Sequence, residues 1–293
     1  MLIPFKENLC SKYATKMLSI KINNSCNAKC AFCVDRDGRN GKTINVEAIA
    51  KKANEFNEYR TVIITGGEPF LIFDKVIRLL KLLRPNKDRI VLNTNGSLLT
   101  PDKVLRLNPL IDELQVSIHN PNEEVNNLIF GVPKFVFFDR LRFALKDKKF
   151  LLSINSTFNN SYKPEERSTA VDKMISLCLY LHADNLRLTE LKKVDETQFV
   201  PASDFFPKND KFCNTSSDNL ITQGCTLYYY SKGIIVSVKR LCEYAKGKNA
   251  PAFSCCFINE LGQKKIDVDT KDTFKVIYSD GMVTNDWIFT PIK

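Results

Sequence analysis

From Met17 to Leu191 the chain repeats one unit, a short apolar run of strand length followed by a longer stretch with helical periodicity, and this alternation limits its possible folds more than any other feature. The runs MLSIKIN (17–23), TVIITGG (61–67), RIVLNTNG (89–96), DELQVSIH (112–119), FLLSINSTF (150–158) and NLRLTEL (185–191) predict six strands. Between them, Asn45 to Tyr59, Leu71 to Leu83, Pro133 to Lys146 and Pro164 to His182 predict helices, with Pro164 suited to a first helical turn. Strands separated by helices pair in parallel, because each helix carries the chain back to the edge from which the next strand starts. Residues 1–191 are therefore expected to form an α/β domain. Its chemistry should lie at the carboxyl ends of the strands, where parallel sheets place their functional loops.

Just past the first predicted strand, CNAKCAFC (26–33) crowds three of the chain's ten cysteines together. A structural zinc site would close its tetrahedron with a fourth Cys or His. The only histidines, His119 and His182, are far off in sequence, and the next cysteine is Cys178. A disulfide framework would leave an odd thiol, and a chain of 293 residues, 44% of them hydrophobic, builds a core without one. Three thiolates and a vacancy suit iron and sulfur better: a cubane held by three cysteines leaves one iron to bind something that reacts.

The spacing Cys-x3-Cys-x2-Cys, with aromatic Phe32 before the last cysteine, resembles the signature of the radical S-adenosylmethionine (radical SAM) superfamily. Residues 61–69, TVIITGGEP, run a β-branched strand into Gly66-Gly67-Glu68-Pro69 and resemble the GGEP motif of the same family. The resemblance implies a partial (β/α)6 TIM-like barrel, a [4Fe-4S] cluster on Cys26, Cys30 and Cys33, and S-adenosyl-L-methionine (SAM) on the vacant iron. It also implies an enzyme that reductively cleaves SAM to a 5′-deoxyadenosyl radical and abstracts hydrogen from a peptide or small-molecule substrate. The electron would come from a partner such as flavodoxin or ferredoxin, while the protein supplies ligation, orientation and exclusion of competing reactions. The alternatives are a nucleotide-analogue-forming or RNA-modifying enzyme of the same family, or a nonenzymatic iron–sulfur redox sensor, in which GGEP would have no purpose.

Cofactor contacts are expected at successive strand ends. Phe32 can offer an apolar face to adenine or simply pack in its loop. Gly66 and Gly67 lack side chains, so a cofactor could approach their backbone. By resemblance, Glu68 pairs with the methionyl amine, and Pro69 holds the turn out of the following helix. Asn93, Thr94 and Asn95 could reach a ribose, although Asn95 could instead stabilise the turn at Gly96. Ser117 and His119 are expected at the barrel mouth, and Ser153 and Asn155 alternate onto one face of their strand. Arg187 resembles a family position that pairs with the methionyl carboxylate; the competing reading is an ion pair with Glu190 or another interior carboxylate.

Beyond Lys192 the helical periodicity fades, and residues 192–293 read as a C-terminal β-rich extension that binds or caps the substrate. ITQGCTLYYYSKGIIVSVKRL predicts two strands about Ser231-Lys232-Gly233, and FKVIYSDGMVTNDW predicts a hairpin at Asp280-Gly281. Cys213, Cys225, Cys242, Cys255 and Cys256 either ligate an auxiliary cluster, as in relatives with SPASM or twitch extensions, or are ordinary thiols; no Cys-x2-Cys pair occurs among them. VSIHNPNEEVNNLIFG resembles the corresponding strand and loop of the viperin-like branch, from which GGEP departs.

The formal net charge is +10, of which residues 1–191 (29 Lys+Arg, 21 Asp+Glu) carry +8 and residues 192–293 (14 and 12) carry +2. The charges are interspersed along predicted helices without an aromatic platform, so solvated helix faces are favoured over a nucleic-acid footprint. An acidic peptide or phosphorylated small substrate remains compatible with the surplus. There is no apolar stretch of about 18 residues and no signal-like run near Met1, which leads to the expectation of a cytoplasmic protein without a membrane span.

Overall fold

The computed structural model describes residues 16–33, 45–191, 198–206, 221–223, 226–239, 257–258, 264–265 and 274–285. Five strand-and-helix units and a sixth strand follow one another: β1 (Met17–Lys21), α1 (Val46–Glu55), β2 (Thr61–Thr65), α2 (Phe73–Leu83), β3 (Arg89–Thr94), α3 (Pro101–Leu107), β4 (Glu113–Ser117), α4 (Glu123–Ile129), α5 (Phe138–Ala144), β5 (Leu151–Phe158), α6 (Arg167–Tyr180) and β6 (Asn185–Glu190). Strands β1 to β6 pair in sequence order and in parallel, as the alternation requires.

The later strands are β7 (Ile221–Gln223), β8 (Thr226–Ser231), β9 (Ile234–Lys239), β10 (Phe257–Ile258), β11 (Lys264–Lys265), β12 (Phe274–Ile277) and β13 (Val283–Thr284). Except for the small β10–β11 pair, they extend the same sheet, in the order β13-β12-β1-β2-β3-β4-β5-β6-β9-β8-β7. Both expected hairpins form. β8 and β9 are antiparallel about Lys232 (φ 51°) and Gly233 (φ 89°), the left-handed pair that a tight hairpin turn needs; β12 and β13 are joined through Gly281 (φ 86°). Each hairpin adds one strand in parallel to the barrel sheet, β9 beside β6 and β12 beside β1. The result is an open, partial TIM-like barrel whose sheet does not close on itself.

Strand alternation gives the sheet two chemically different faces. Leu18, Ile64, Leu92, Val116, Ile154 and Leu186 lie on the face under the helices and belong to one continuous apolar core. The alternate positions, including Lys21, Asn93, Gln115, Asn155, Arg187 and Ser237, put a polar lining on the inner face.

Four helices fall where periodicity predicts them, with shorter bounds. Pro69 does not hold the chain out of helix: it is the first residue of a 3-10 turn, Pro69–Ile72, capped by Glu68 and leading straight into α2. α3 and α4 are additional short helices, capped by Thr100 and Asn122.

At the opposite end of the barrel, Lys87 is buried (3% exposed) and its Nζ donates to the carbonyls of Ala53, Phe56 and Tyr59 at 2.8, 3.0 and 3.0 Å. It closes the end of α1 and its link to β2, while burial and the nearby charge of Arg60 lower its pKa. Lys87→Met would leave three carbonyls short of a donor and is expected to destabilise the fold by about 2–4 kcal/mol. In urea unfolding, the midpoint should fall with little change in slope; an unchanged midpoint would show that water replaces the ammonium at no loss.

Candidate functional site

The cysteine loop leaves β1 at the carboxyl end of the sheet and is tied to the ends of two other strands and to the segment after α4. Against β2, Gly67 N–H donates to the Asn23 carbonyl (2.9 Å), Glu68 N–H to the Ser25 carbonyl (2.7 Å), and Asn23 Nδ2 to the Glu68 carbonyl (2.9 Å). Against the end of β3, Asn95 Nδ2 donates to Asn27 Oδ1 (2.9 Å), and Asn27 Nδ2 donates to Ser97 Oγ (3.0 Å). Against the segment after α4, Lys29 N–H donates to the Phe130 carbonyl (2.7 Å). Cys26, Cys30 and Cys33 are each of intermediate exposure on this tethered loop. Ala28 N–H donates to Cys26 Sγ (3.4 Å), and Cys33 N–H to the Cys30 carbonyl (3.2 Å), so one thiol already accepts a backbone donor, as a thiolate would.

The residues after β2 pack against the start of the cysteine loop. A Cβ on Gly66 would lie 2.4 Å from Asn23 Oδ1, and one on Gly67 would lie 2.0 Å from the Ser25 carbonyl oxygen. The space on the side-chain side of both glycines is filled by the start of the cysteine loop. Glu68 is 1% exposed, and its carboxylate accepts from Phe70 N–H (2.9 Å), Thr94 Oγ1 (2.7 Å) and Asn95 N–H (2.7 Å). Burial pushes its carboxyl above the usual range against those three bonds. Its carboxylate is thus a buried junction between β2 and β3. Asn95 is similarly engaged, its Oδ1 accepting from Ser97 N–H and Oγ at 3.0 and 2.7 Å.

His119 follows β4 and is buried at 7% exposure. Thr157 N–H lies 3.3 Å from its Nδ1. A backbone amide can only donate, so Nδ1 is the acceptor and the ring proton sits on Nε2. Burial lowers the His119 pKa to about 4, which keeps the ring neutral near pH 7. Its ring stands edge-on to Phe32 at 5.1 Å, so these two expected site residues do meet.

Ser117, Asn155 and Arg187 occupy one row across β4, β5 and β6 on the inner face. Asn155 Nδ2 donates to Gln115 Oε1 (2.9 Å), while Asn155 Oδ1 and Asn93 Oδ1 are buried acceptors with no partner among the described residues. Arg187 does not pair with Glu190, which faces the other way and accepts from Ala202 N–H (2.8 Å). It lies 3.8 Å from Glu113, on the inner face at the start of β4. Glu113 went unnoticed in the sequence, where it reads as the edge of a strand; a carboxylate at an inward strand position was the available signal. Burial opposes its charge, but hydrogen bonds from Ser153, Arg89 and Gln115, with the field of Arg187, hold its carboxyl below the usual range.

Among the described residues, no three His, Cys, Asp or Glu side chains draw together as ligands of one metal ion. The soft three-thiol donor set fits three corners of an iron–sulfur cubane. Cys213, Cys225, Cys242, Cys255 and Cys256 lie outside the described residues. No helix among the described residues is long and apolar enough to cross a membrane.

Residues 20–154 match the family model of the radical SAM superfamily. A probable GTP 3′,8-cyclase from Sulfurisphaera tokodaii is 26% identical over 185 residues, 60% of this chain and 56% of the relative. A GTP 3′,8-cyclase from Clostridium perfringens is 27% identical over 194 residues, 61% of this chain and 56% of the relative. The chain thus spans little more than half the length of these relatives. Among solved structures, Streptococcus suis SuiB bound to S-adenosylmethionine aligns with a TM-score of 0.61 at 16% identity, over 92% of this chain and 60% of that one, a likeness of fold. The family match begins in β1, ends in β5 and takes in both the cysteine loop and the GGEP turn, on a partial barrel of the expected kind; residues 20–154 form a radical SAM domain.

Proposed function

We propose that this chain is an enzyme that holds a [4Fe-4S] cluster on Cys26, Cys30 and Cys33 and SAM beside it, facing the polar inner surface of the half-barrel. When bound, the pair supplies reductive cleavage of SAM to a 5′-deoxyadenosyl radical, which takes a hydrogen atom from the substrate. The observation that carries this reading is the tethering of one three-thiol loop to the ends of β2 and β3 and to the segment after α4.

The chain's own residues divide the work. Gly66, Gly67 and Glu68 fix the loop against β2, Pro69 opens the turn that leads into α2, and Asn95 fixes the loop against β3. Phe32 offers an apolar face to adenine. Ser117 and the unpartnered Asn155 Oδ1 can take hydroxyl donors such as those of a ribose. Arg187, separated from Glu113 by more than a hydrogen bond, retains guanidinium donors for a carboxylate. Arg187→Ala is expected to weaken SAM binding about tenfold, or about 1.4 kcal/mol, with iron content unchanged. Normal affinity would instead make Arg187 a structural partner of Glu113.

For the substrate, the inner face carries Lys21, Arg187 and Lys239 against Glu113, whose charge Arg89 also offsets. A polar, anionic small molecule fits this lining better than an apolar one. The curated relatives, named for GTP, support a nucleotide as the first class to test. A peptide is the second reading, supported by β7 as the last strand of the sheet among the described residues, an edge of the kind used for strand addition. The reaction needs a one-electron reductant of the flavodoxin or ferredoxin kind and is assigned to the cytoplasm. The deciding experiment measures 5′-deoxyadenosine released from SAM by anaerobically reconstituted, reduced protein, offered nucleotides and then peptides. Iron-loaded protein that releases none with any of them would sink the reading.

A further inference from the structure

The segment from His119 to Gly131 has no part in the reaction as proposed, yet it forms the wall opposite the β2 side of the cysteine loop. Phe130 accepts the Lys29 amide at 2.7 Å, and Gly131 (φ 66°) approaches so closely that a Cβ there would lie 3.1 Å from the Lys29 carbonyl oxygen and Cβ. The His119 ring stands between Phe32 (5.1 Å, 87°) and Phe130 (5.5 Å), and Phe130 meets Phe135 at 5.3 Å. Phe32 immediately precedes Cys33, so the aromatic row ends at a presumptive cluster ligand.

His119 is itself held from four directions. Its amide donates to Asn126 Oδ1 (2.8 Å), its carbonyl accepts from Tyr162 Oη (2.9 Å) and Asn159 Nδ2 (3.4 Å), and its Nδ1 accepts the Thr157 amide (3.3 Å). The first three fix its backbone, and the last fixes its ring. A ring fixed in position and tautomer restricts whatever packs on it, and an edge-to-face pair contributes about 0.5–1.5 kcal/mol beyond burial.

We propose that His119 is a positioning residue, acting through its ring on Phe32 and hence on the orientation of Cys33 and the adenine-facing side of the site. It contacts the reacting groups through Phe32 and not through its own nitrogen. This rests on the reading of Cys26, Cys30 and Cys33 as cluster ligands.

The test uses the full chain, reconstituted anaerobically, and reads iron per chain, the electron paramagnetic resonance spectrum of the reduced protein with and without SAM, and the SAM dissociation constant. In His119→Ala, iron should stay at the wild-type level, the SAM-dependent spectral change should broaden, and SAM should bind about tenfold more weakly. His119→Phe keeps a ring there and should restore most of the spectrum and affinity. Phe32→Leu should match His119→Ala, and combining the two should add little, since both remove one contact. A His119→Phe protein as defective as His119→Ala would overturn the proposal, because the nitrogen would then be what matters. So would wild-type behaviour of His119→Ala, or losses that simply add in the double variant. If His119→Ala does not fold, Phe32→Leu and His119→Phe still decide: Phe32→Leu must weaken SAM binding and His119→Phe must not. Wild-type protein that takes up no iron would instead overturn the cluster reading itself.

Discussion

Protein in which Cys26, Cys30 and Cys33 are all alanine is expected to leave anaerobic reconstitution without the iron–sulfur absorption of the wild type and to release no 5′-deoxyadenosine from SAM. The metal's free energy comes from thiolate bonds, and removing the ligands removes both the binding and the order it imposes on the loop. Cys30→Ala alone should do nearly the same, because the two remaining thiols leave the cubane a protein ligand short. Iron and sulfide analysis checks this directly. A triple variant that keeps part of its iron while losing SAM cleavage would assign that part to an auxiliary centre among Cys213, Cys225, Cys242, Cys255 and Cys256. A triple variant with wild-type iron and wild-type cleavage would remove the loop from the chemistry altogether.

The barrel was legible because the alternation of apolar and amphipathic stretches reports burial, and burial is what selects parallel pairing. All six strands of residues 1–191 lie inside the predicted runs. α3 and α4 have only seven residues each and, unlike the equally short α5 within Pro133–Lys146, sit in no longer stretch of helical periodicity. Their caps were readable nonetheless: Thr100 before Pro101, and Asn122 before two glutamates. The hairpins after Lys192 were visible from their turns, but a hairpin does not encode which outside strand it joins; pairing with β1 and β6 was settled by the open edges of the barrel. At the site, residue types were legible and their partners were not. Glu68 meets Thr94 and Asn95 across separations of 26 and 27 positions, which no local pattern records. The partner of Arg187 was partly decidable: Glu190 is three positions along a strand, hence on the opposite face.

Gly67→Ala is expected to be among the most damaging single substitutions outside the cysteines. The added methyl carbon would sit 2.0 Å from the Ser25 carbonyl oxygen and 2.4 Å from its carbonyl carbon, and backbone cannot rotate aside as a long side chain can. Moving Ser25 moves Cys26, and it strains the bonds from Gly67 N–H to Asn23 and from Glu68 N–H to Ser25. The loss should reach or exceed about 3 kcal/mol, the upper end for overpacking, with a matching fall in iron per chain. Gly66→Ala should be milder, since the nearest obstacle is the Asn23 side-chain oxygen at 2.4 Å and the backbone oxygen stands at 2.9 Å. Gly281→Ala is the control: nothing lies within 4 Å of its Cβ position, so only its positive φ (86°) matters, costing about 1 kcal/mol and leaving iron intact. Urea midpoints, iron content and SAM affinity separate the two explanations of the paired glycines. If they exist for packing of the cysteine loop, stability and iron fall together in Gly67→Ala. If they exist to admit a cofactor, stability and iron hold and only SAM affinity drops, and the packing explanation fails.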